Sequence, residues 1–367
     1  MNLTAPEKEQ YSRHLLLDEI GEAGQLKLKQ AKVLVIGAGG LGCPILKYLT
    51  AAGVGRIGIV DDDTVAQSNL QRQILYTQED IGKSKAEIAA DRLQLLNPFI
   101  QFDVHKTRLT KDNALILFEA YDIIVDGTDN FPSRYLINDA SVLLDKPVSF
   151  GSIHKFTGQV AVFNFKNGPT YRCLYPTPPA PHEVPNCSAI GVLGVLPGII
   201  GSLQANEVLK MILGLGTVLS GRLLTFDALS MRQSILTFRN DPSIVINELK
   251  GDYEIFCGID TTINEMNFED YQEQVSKYNL LDVRTQLEWD EFHIKSIHIP
   301  LDELSQRNHE IPRNKNLLVF CKSGSRSKLA IKLLKDQGFH QRVINLKGGL
   351  SIEKLNNDNK FKKYKHK

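Results

Sequence analysis

The segment KVLVIG, residues 32–37, is a continuous apolar run ending in glycine, and apolar residues then recur at Leu41, Ile45 and Leu49. A buried parallel strand that feeds a helix has this pattern. The runs RIGIVD (56–61) and YDIIVDGTD (121–129) repeat the strand character, and KSKAEIAADRLQLL between them has a helical period. Strands and helices alternating in this way predict a doubly wound α/β sheet.

Further along, KPVSFGSIHKFTGQVAVFNF (146–165) alternates as half-buried strands do, and GSLQANEVLKMILG (201–214) reads as a helix stopped by glycine. The first domain is expected over residues 1–245. Residues 246–262 have no clear period and are assigned as a linker by position. A second α/β series then fills 263–360: NEMNFEDYQEQV as a helix, KYNLLDVR as a strand, NLLVFCKSGSRS as strand and loop, KLAIKLLKDQGF as a helix and RVINLKGG as a last strand. The expected fold class is α/β, with a Rossmann-like domain followed by a smaller α/β domain.

Composition narrows the setting. A chain of 367 residues with 42% hydrophobic and 23% charged positions has the make-up of a soluble protein of two domains. A net charge of +1 gives no reason to expect nucleic acid as a partner. The five cysteines (43, 173, 187, 257 and 321) are scattered, and the start MNLTAPEKEQYSRH is polar. Both features predict a reducing cytoplasm without a signal peptide. The longest uncharged run, 187–206, is interrupted by glycines and Pro197 and contains Gln204 and Asn206, so no membrane span is expected. The tail KFKKYKHK reads as a solvated end.

GAGGLG fits G-x-G-x-x-G at a strand-to-helix turn, with Gly37, Gly39, Gly40 and Gly42 letting the backbone approach a phosphate. Asp61, ending the second strand, could bond a ribose hydroxyl, which makes a nicotinamide oxidoreductase the first candidate. Residues beyond Asp61 change the balance. DDDTVAQSNLQRQ (61–73) crowds acids and amides around Arg72, IGKSKAE offers Lys85, and GTDNF offers Asp129 and Asn130. Carboxylates beside a phosphate site suit Mg²⁺, and Arg with Lys suits charge that develops during displacement at phosphorus, so the set suggests ATP chemistry. Taken singly, Arg72 is also consistent with a surface arginine, Lys85 with a solvated lysine and Asp129 with a helix cap.

Together GAGGLG, DDDTVAQSNLQRQ, GKSKAE, GTDNF and PNCSAIGVLGVLPGIIGSLQANE resemble the MoeB/ThiF/HesA family, adenylyltransferases related to ubiquitin-activating enzymes, over roughly residues 5–240. The resemblance implies adenylation of the terminal glycine of a ubiquitin-like sulfur carrier, with release of pyrophosphate. It implies ATP binding by Gly40, Asp61, Ser68, Asn69, Leu70, Gln71 and Arg72, a phosphate partner in Lys85, and Mg²⁺ on Asp129 with Asn130 beside it. Arg13 in YSRHLLL matches an arginine that reaches the neighbouring subunit's nucleotide, which implies a homodimer. Family members often hold zinc with two C-x-x-C pairs. Here Thr170 and Cys173 stand at the first, and RNDPSIVINE at the second lacks cysteine, so no zinc of the family type is expected. Cys257 lies too far along the chain to restore the pair. Cys187 in PNCSAIG matches the family's second cysteine, which can link covalently to the activated carrier or to a sulfur donor.

In LLVFCKSGSRSKLA a strand pattern delivers Cys321, and a loop leads to Arg326 at the start of a helix. Backbone N–H groups, the helix dipole and Arg326 would favour an anion there. Cysteine phosphatases separate Cys and Arg by five residues; four stand here, and the smaller ring suits a single sulfur better than a tetrahedral phosphate. With LLDVRTQLEWDEFHIKSIHIPLDEL (280–304) and NLKGGL (345–350), the loop resembles the rhodanese family over roughly 264–356. That resemblance implies a persulfide on Cys321 stabilised by Arg326, loaded by thiosulfate or a cysteine desulfurase. The two resemblances imply one sequence of reactions: adenylate the carrier, then replace AMP with sulfur to give a thiocarboxylate, for molybdopterin synthesis or, alternatively, for the thiamine pathway.

Overall fold

The computed structural model describes residues 2–179, 191–257, 263–339 and 341–350. These divide into two compact units, 2–179 with 191–253, and 254–350.

The first unit is built on an eight-stranded sheet. Its strands are β1 (Lys32–Ile36), β2 (Arg56–Val60), β3 (Gln101–His105), β4 (Ile123–Asp126), β5 (Val148–His154), β6 (Thr157–Phe163), β7 (Arg222–Asp227) and β8 (Arg232–Thr237), in the order β3-β2-β1-β4-β5-β6-β7-β8. β3 to β5 run parallel and β6 to β8 continue antiparallel. Ile36 of β1 stands between Val60 of β2 and Asp126 of β4, so three carboxyl ends finish level. The chain builds β2 and β3 on one side of β1 before it returns to β4 on the other. A doubly wound sheet opens a ligand crevice at that switch point.

β1, β2 and β4 are buried along almost their whole length, as strands covered by helices on both faces must be. The helix Leu196–Leu213 packs on β5 and β6, and its buried Gln204 donates from Nε2 to the Asp126 carbonyl at 2.8 Å. A Cβ at Gly151 would collide with the Gln204 side chain, and one at Gly158 with Ile200. The expected strands at 32–37, 56–61, 121–129 and 146–165 are therefore present. β3, β7 and β8 carry no pattern that announces them, and β8 is exposed at every position, so it has no inward face to alternate.

The second unit is a five-stranded parallel sheet of β9 (Glu265–Met266), β10 (Tyr278–Asp282), β11 (Ile297–His298), β12 (Asn316–Phe320) and β13 (Val343–Leu346), ordered β11-β10-β12-β13-β9. NEMNFEDYQEQV is not the single helix expected: Glu265 and Met266 pair with Asn345 and Leu346 as a strand, Asn267 stays extended, and the helix covers only Phe268–Gln272. The edge of β13 takes up those backbone groups before a helix can begin. The stretch assigned as a linker also carries a short helix, Tyr253–Phe256.

Tyr253 closes a buried polar knot in the first unit. Arg172 donates from Nε and Nη2 to the two Asp139 oxygens at 2.6 and 2.8 Å, and Tyr253 Oη donates to Asp139 Oδ2 at 2.7 Å. The Arg172 guanidinium also lies 4.9 Å from the centre of the Tyr135 ring. Removing one side of a buried pair leaves the other charged and unsolvated. Asp139→Ala should therefore lower stability by about 3–5 kcal/mol, read from the urea midpoint; an unchanged midpoint would show that the knot does not stabilise the fold.

Candidate functional site

The first site sits at the carboxyl ends of β1, β2 and β4. Gly37 has φ +91°, and a Cβ there would lie 2.9 Å from the Gly127 carbonyl oxygen. A Cβ at Gly42 would overlap the Gly37 carbonyl, so the loop closes only with glycine at both places. Gly39 and Gly40 face side chains instead, with Gln73 3.6 Å from the Cβ direction of the first, and Pro197 at 3.2 Å and Arg72 at 3.8 Å from that of the second. The N–H groups of Gly39 and Gly40 bond no described residue and lead into the helix Gly42–Ala52. A helix start with free N–H groups receives a phosphate.

Neighbouring side chains fix this loop. Ala38 donates its N–H to Asp61 Oδ2 at 2.7 Å and accepts from Tyr76 Oη at 2.7 Å. Asp61 Oδ1 accepts from the Asp63 N–H at 2.8 Å, and lone pairs remain on both oxygens. Burial pushes the Asp61 carboxyl up, against the Ala38 N–H and the Lys85 charge that favour its ionised form. Lys85 opens the helix Lys85–Leu96, is almost wholly buried and donates to Asp63 Oδ2 at 2.8 Å. The alternative of a solvated Lys85 is thereby set aside. Behind the loop, burial pushes the Cys43 thiol up to about 12, which leaves it an inert core residue.

Ser68, Asn69, Leu70, Gln71 and Arg72 form one turn beside the loop. Asn69 Oδ1 accepts from the Ala66 N–H, Arg72 Nη1 donates to the Ser68 carbonyl at 3.1 Å, and Gln71 Nε2 donates to the Val192 carbonyl at 3.4 Å. On the other flank, Asp126 is buried and accepts from the Thr128 N–H at 2.9 Å and the Thr128 hydroxyl at 2.6 Å. Burial pushes its carboxyl up, with Arg134 and Thr128 acting the other way. Asn130, not Asp129, caps the helix Phe131–Leu143, accepting from the Ser133 N–H at 3.0 Å. The Asp129 carboxylate is exposed and takes no hydrogen bond from the described residues. Its capping alternative is thus removed.

Arg13 is exposed on the short helix Ser12–Leu15, and no described residue brings it to this loop. Cys187 lies outside the described residues. Thr170 and Cys173 do meet the second location: the Cys173 sulfur bonds Asn240 Oδ1 at 3.4 Å and receives the Asp241 N–H at 3.5 Å and the Thr170 N–H at 3.4 Å. Sequence reasoning passed over Asp63, Gln73, Tyr76, Asp126 and Gln204. Asp63 and Gln73 stand inside DDDTVAQSNLQRQ and Asp126 inside the strand pattern YDIIVDGTD, whereas the contact of Gln204 with β4 is tertiary.

In the second unit, β12 delivers Cys321, whose sulfur is buried and accepts the Gly324 N–H at 3.1 Å. Gly324 has φ +94° and starts the helix Ser325–Asp336. The pair Gly348–Gly349 buttresses the loop: a Cβ on Gly349 would meet the Cys321 carbonyl, and Leu350 donates its N–H to that carbonyl at 2.7 Å. Arg326 is engaged, and not directly by the sulfur. Its Nη1 and Nη2 bond Glu288 Oε2 and Oε1 at 2.6 and 2.8 Å. Glu288 was missed, although Thr285 and Glu288 form a T-x-x-E capping box that the sequence displays.

Each of the two units matches the description of a known family. The model described as ThiF family matches residues 11–244, and that described as Rhodanese-like domain matches 267–351. The chain is 44% identical over 367 residues to the "probable adenylyltransferase/sulfurtransferase MoeZ" of Mycobacterium tuberculosis, covering 95% of this chain and 93% of that one. It is 51% identical over 271 residues to the "sulfur carrier protein adenylyltransferase" of Thermus thermophilus, covering 71% of this chain and all of that one. It is 40% identical to the "adenylyltransferase and sulfurtransferase MOCS3" of Culex quinquefasciatus, covering 96% and 89%. A crystal structure of Escherichia coli MccB with ATP shares the fold, with TM-score 0.57 and 21% identity over 66% of this chain and 75% of that one. No helix among the described residues is long and apolar enough to cross a membrane.

The Arg326–Glu288 pair gives stability a pH dependence. Burial pushes the Glu288 carboxyl up, but the Arg326 guanidinium and the Thr285 N–H outweigh it and hold the group at about 2. Its folded value lies below the ordinary 4.5, so the pair's stabilisation is present above pH 4.5 and is lost as pH falls towards 2. Glu288→Gln should cost roughly 1–2 kcal/mol near neutrality, between the exposed-pair and buried-pair ranges, and flatten the acid limb of stability against pH. Urea unfolding between those pH values checks this; a wild-type slope in the variant would refute it.

Proposed function

The chain belongs to the ThiF family and carries a rhodanese-like domain, and on that basis we propose that it adenylates the terminal glycine of a ubiquitin-like sulfur carrier and then delivers sulfur to it. The observation that carries this reading is the pairing, in one chain, of a glycine loop flanked by Asp61, Lys85 and Arg72 with a buried cysteine cradled at a helix start. Relatives named for both adenylyltransferase and sulfurtransferase, matched over 95% and 96% of this chain, favour it over hydride transfer.

The carrier's carboxylate attacks the α-phosphorus of ATP, the α–β bridge breaks, and pyrophosphate leaves behind an acyl adenylate. Two anions meet in that step, so cations must lower its barrier. Arg72, beside Gly40, and Lys85, aimed by Asp63, supply positive charge, while Gly39 and Gly40 present N–H groups to the phosphates. Asp61 takes a ribose hydroxyl, with Ser68, Asn69, Leu70 and Gln71 forming the adjoining wall and Asn130 bracing the loop that carries Asp129. The Asp129 carboxylate, exposed and without a hydrogen bond from the described residues, would hold a Mg²⁺ ion, which would supply charge neutralisation. Around Cys173 the polar partners among the described residues are an amide, the Thr170 hydroxyl and backbone N–H groups, so the donors do not fit a zinc site. In a homodimer Arg13 would serve the neighbouring subunit's nucleotide.

Cys321 thiolate attacks the outer sulfur of thiosulfate; sulfite leaves, and a persulfide carries the charge. A cysteine desulfurase is the other donor that fits. The persulfide's outer sulfur attacks the adenylate carbonyl and AMP leaves. A thiolate, for which Cys187 is the candidate, attacks the Cys321 sulfur, joins it in a disulfide and releases the carrier thiocarboxylate, and a thiol reductant restores both cysteines. The molybdopterin synthase small subunit is the leading carrier, with the thiamine carrier as the second, in the cytoplasm.

Variants separate the halves. Asp129→Ala and Arg72→Ala should each lower carrier-dependent exchange of pyrophosphate into ATP at least about a hundredfold, the scale of losing one transition-state charge contact. Cys321→Ala should leave exchange intact and abolish thiocarboxylate formation. Retained exchange in the first two folded variants, or retained thiocarboxylate in the third, would overturn the assignment.

A further inference from the structure

The helix after the sulfur loop buries Ser327 completely, although it is polar, and so is Asn345 on β13. Ser327 Oγ lies 2.6 Å from Asn345 Oδ1, 3.0 Å from the Gly324 carbonyl and 3.5 Å from the Cys321 sulfur. Asn345 Nδ2 donates to Glu265 Oε1 at 2.8 Å, and Lys328 closes the chain on Glu265 at 3.1 Å. Burial pushes the Glu265 carboxyl up, but the Asn345 and Lys328 contacts outweigh it and hold it below the usual value.

These contacts leave the chain one orientation. An ionised Glu265 only accepts, so it turns the Asn345 amide nitrogen towards itself and the amide oxygen towards Ser327. The serine hydroxyl then has one proton and three acceptors around it. While the sulfur is neutral, the shorter contacts to Asn345 and Gly324 hold that proton. When the sulfur is anionic, a charge-assisted bond competes, and the proton turns to it without any movement of the backbone.

We propose that Ser327 is a catalytic residue of sulfur transfer, a switchable donor that stabilises negative charge on Cys321, and that Asn345 and Glu265 are positioning residues that keep its oxygen in place. This rests on the reading of Cys321 as the sulfur carrier. The charge appears on that atom twice. It is present when the thiolate attacks thiosulfate, forming the persulfide and releasing sulfite. It returns when a nucleophile takes the outer sulfur: cyanide forms a bond to it, the sulfur–sulfur bond breaks, and the electron pair stays on Cys321. Ser327 acts at both moments, beside the fixed Gly324 N–H.

The test uses the full chain, with thiosulfate and cyanide as probes and thiocyanate as the readout. Ser327→Ala and Ser327→Val should lose roughly 10–100-fold in kcat, the scale of one donor to a developing anion, with KM for thiosulfate within about twofold. Ser327→Thr, which matches valine in shape and keeps the hydroxyl, should retain most of the rate. Valine as active as threonine, or a loss confined to KM, would overturn the proposal, and the matched pair keeps the comparison valid if alanine fails to fold. Cys321→Ala separates the two readings. If it transfers sulfur, the assignment of Cys321 itself falls. If it is inactive while valine equals threonine, only the role of Ser327 falls.

Discussion

Both sites depend on main chain passing main chain where no side chain fits. Gly42 lies against the Gly37 carbonyl, Gly37 against Gly127, and Gly349 against the carbonyl of Cys321. In each unit a parallel strand ends, the chain turns through a positive-φ glycine, and a helix begins. That arrangement brings N–H groups to the mouth of a sheet, those of Gly39 and Gly40 bonded to no described residue and that of Gly324 bonded to the Cys321 sulfur, and an anion is what they attract. A methyl group at Gly42 or Gly349 would push the turn open and scatter the donors, so the geometry of both sites follows from the absence of a Cβ.

The units then diverge in how they treat charge. The glycine-loop site gathers charge around it: the buried Lys85 is held at its Nζ by Asp63, Arg72 stands beside Gly40, and the exposed Asp129 carboxylate takes no hydrogen bond from the described residues. It suits a large, highly charged ligand that arrives and leaves. The sulfur site is closed around one atom. Cys321 is buried, and its partners are the Gly324 N–H and the Ser327 hydroxyl, while Arg326 is clamped by Glu288 at the loop's outer side. The donors that touch the sulfur are small and neutral.

Much of this was legible in the sequence because it is local. Apolar runs announced β1, β2, β4 and β12, the glycine spacing of GAGGLG placed the first loop, and the spacing of Cys321 and Arg326 placed the second. The misses are long-range. β8 has no buried face and so no alternation, and Gln204 reaches the Asp126 carbonyl only because the helix that bears it packs across the sheet. Glu265 looked like the start of a helix, yet its backbone pairs with β13 and its carboxylate fixes the Asn345 amide. The cap weighed as the alternative role of Asp129 falls to its neighbour Asn130. Adjacent residues with similar side chains differ there by backbone direction, which periodicity does not encode.

The union of the two chemistries is tested most directly by weighing an intact ubiquitin-like carrier after incubation with the full chain, ATP, Mg²⁺, thiosulfate and a thiol reductant. The expected result is the mass gain of one oxygen replaced by sulfur, seen only when ATP and thiosulfate are both present. A gain that needs no ATP, or an unchanged carrier while pyrophosphate is released, would contradict a single pathway running from the glycine loop to Cys321.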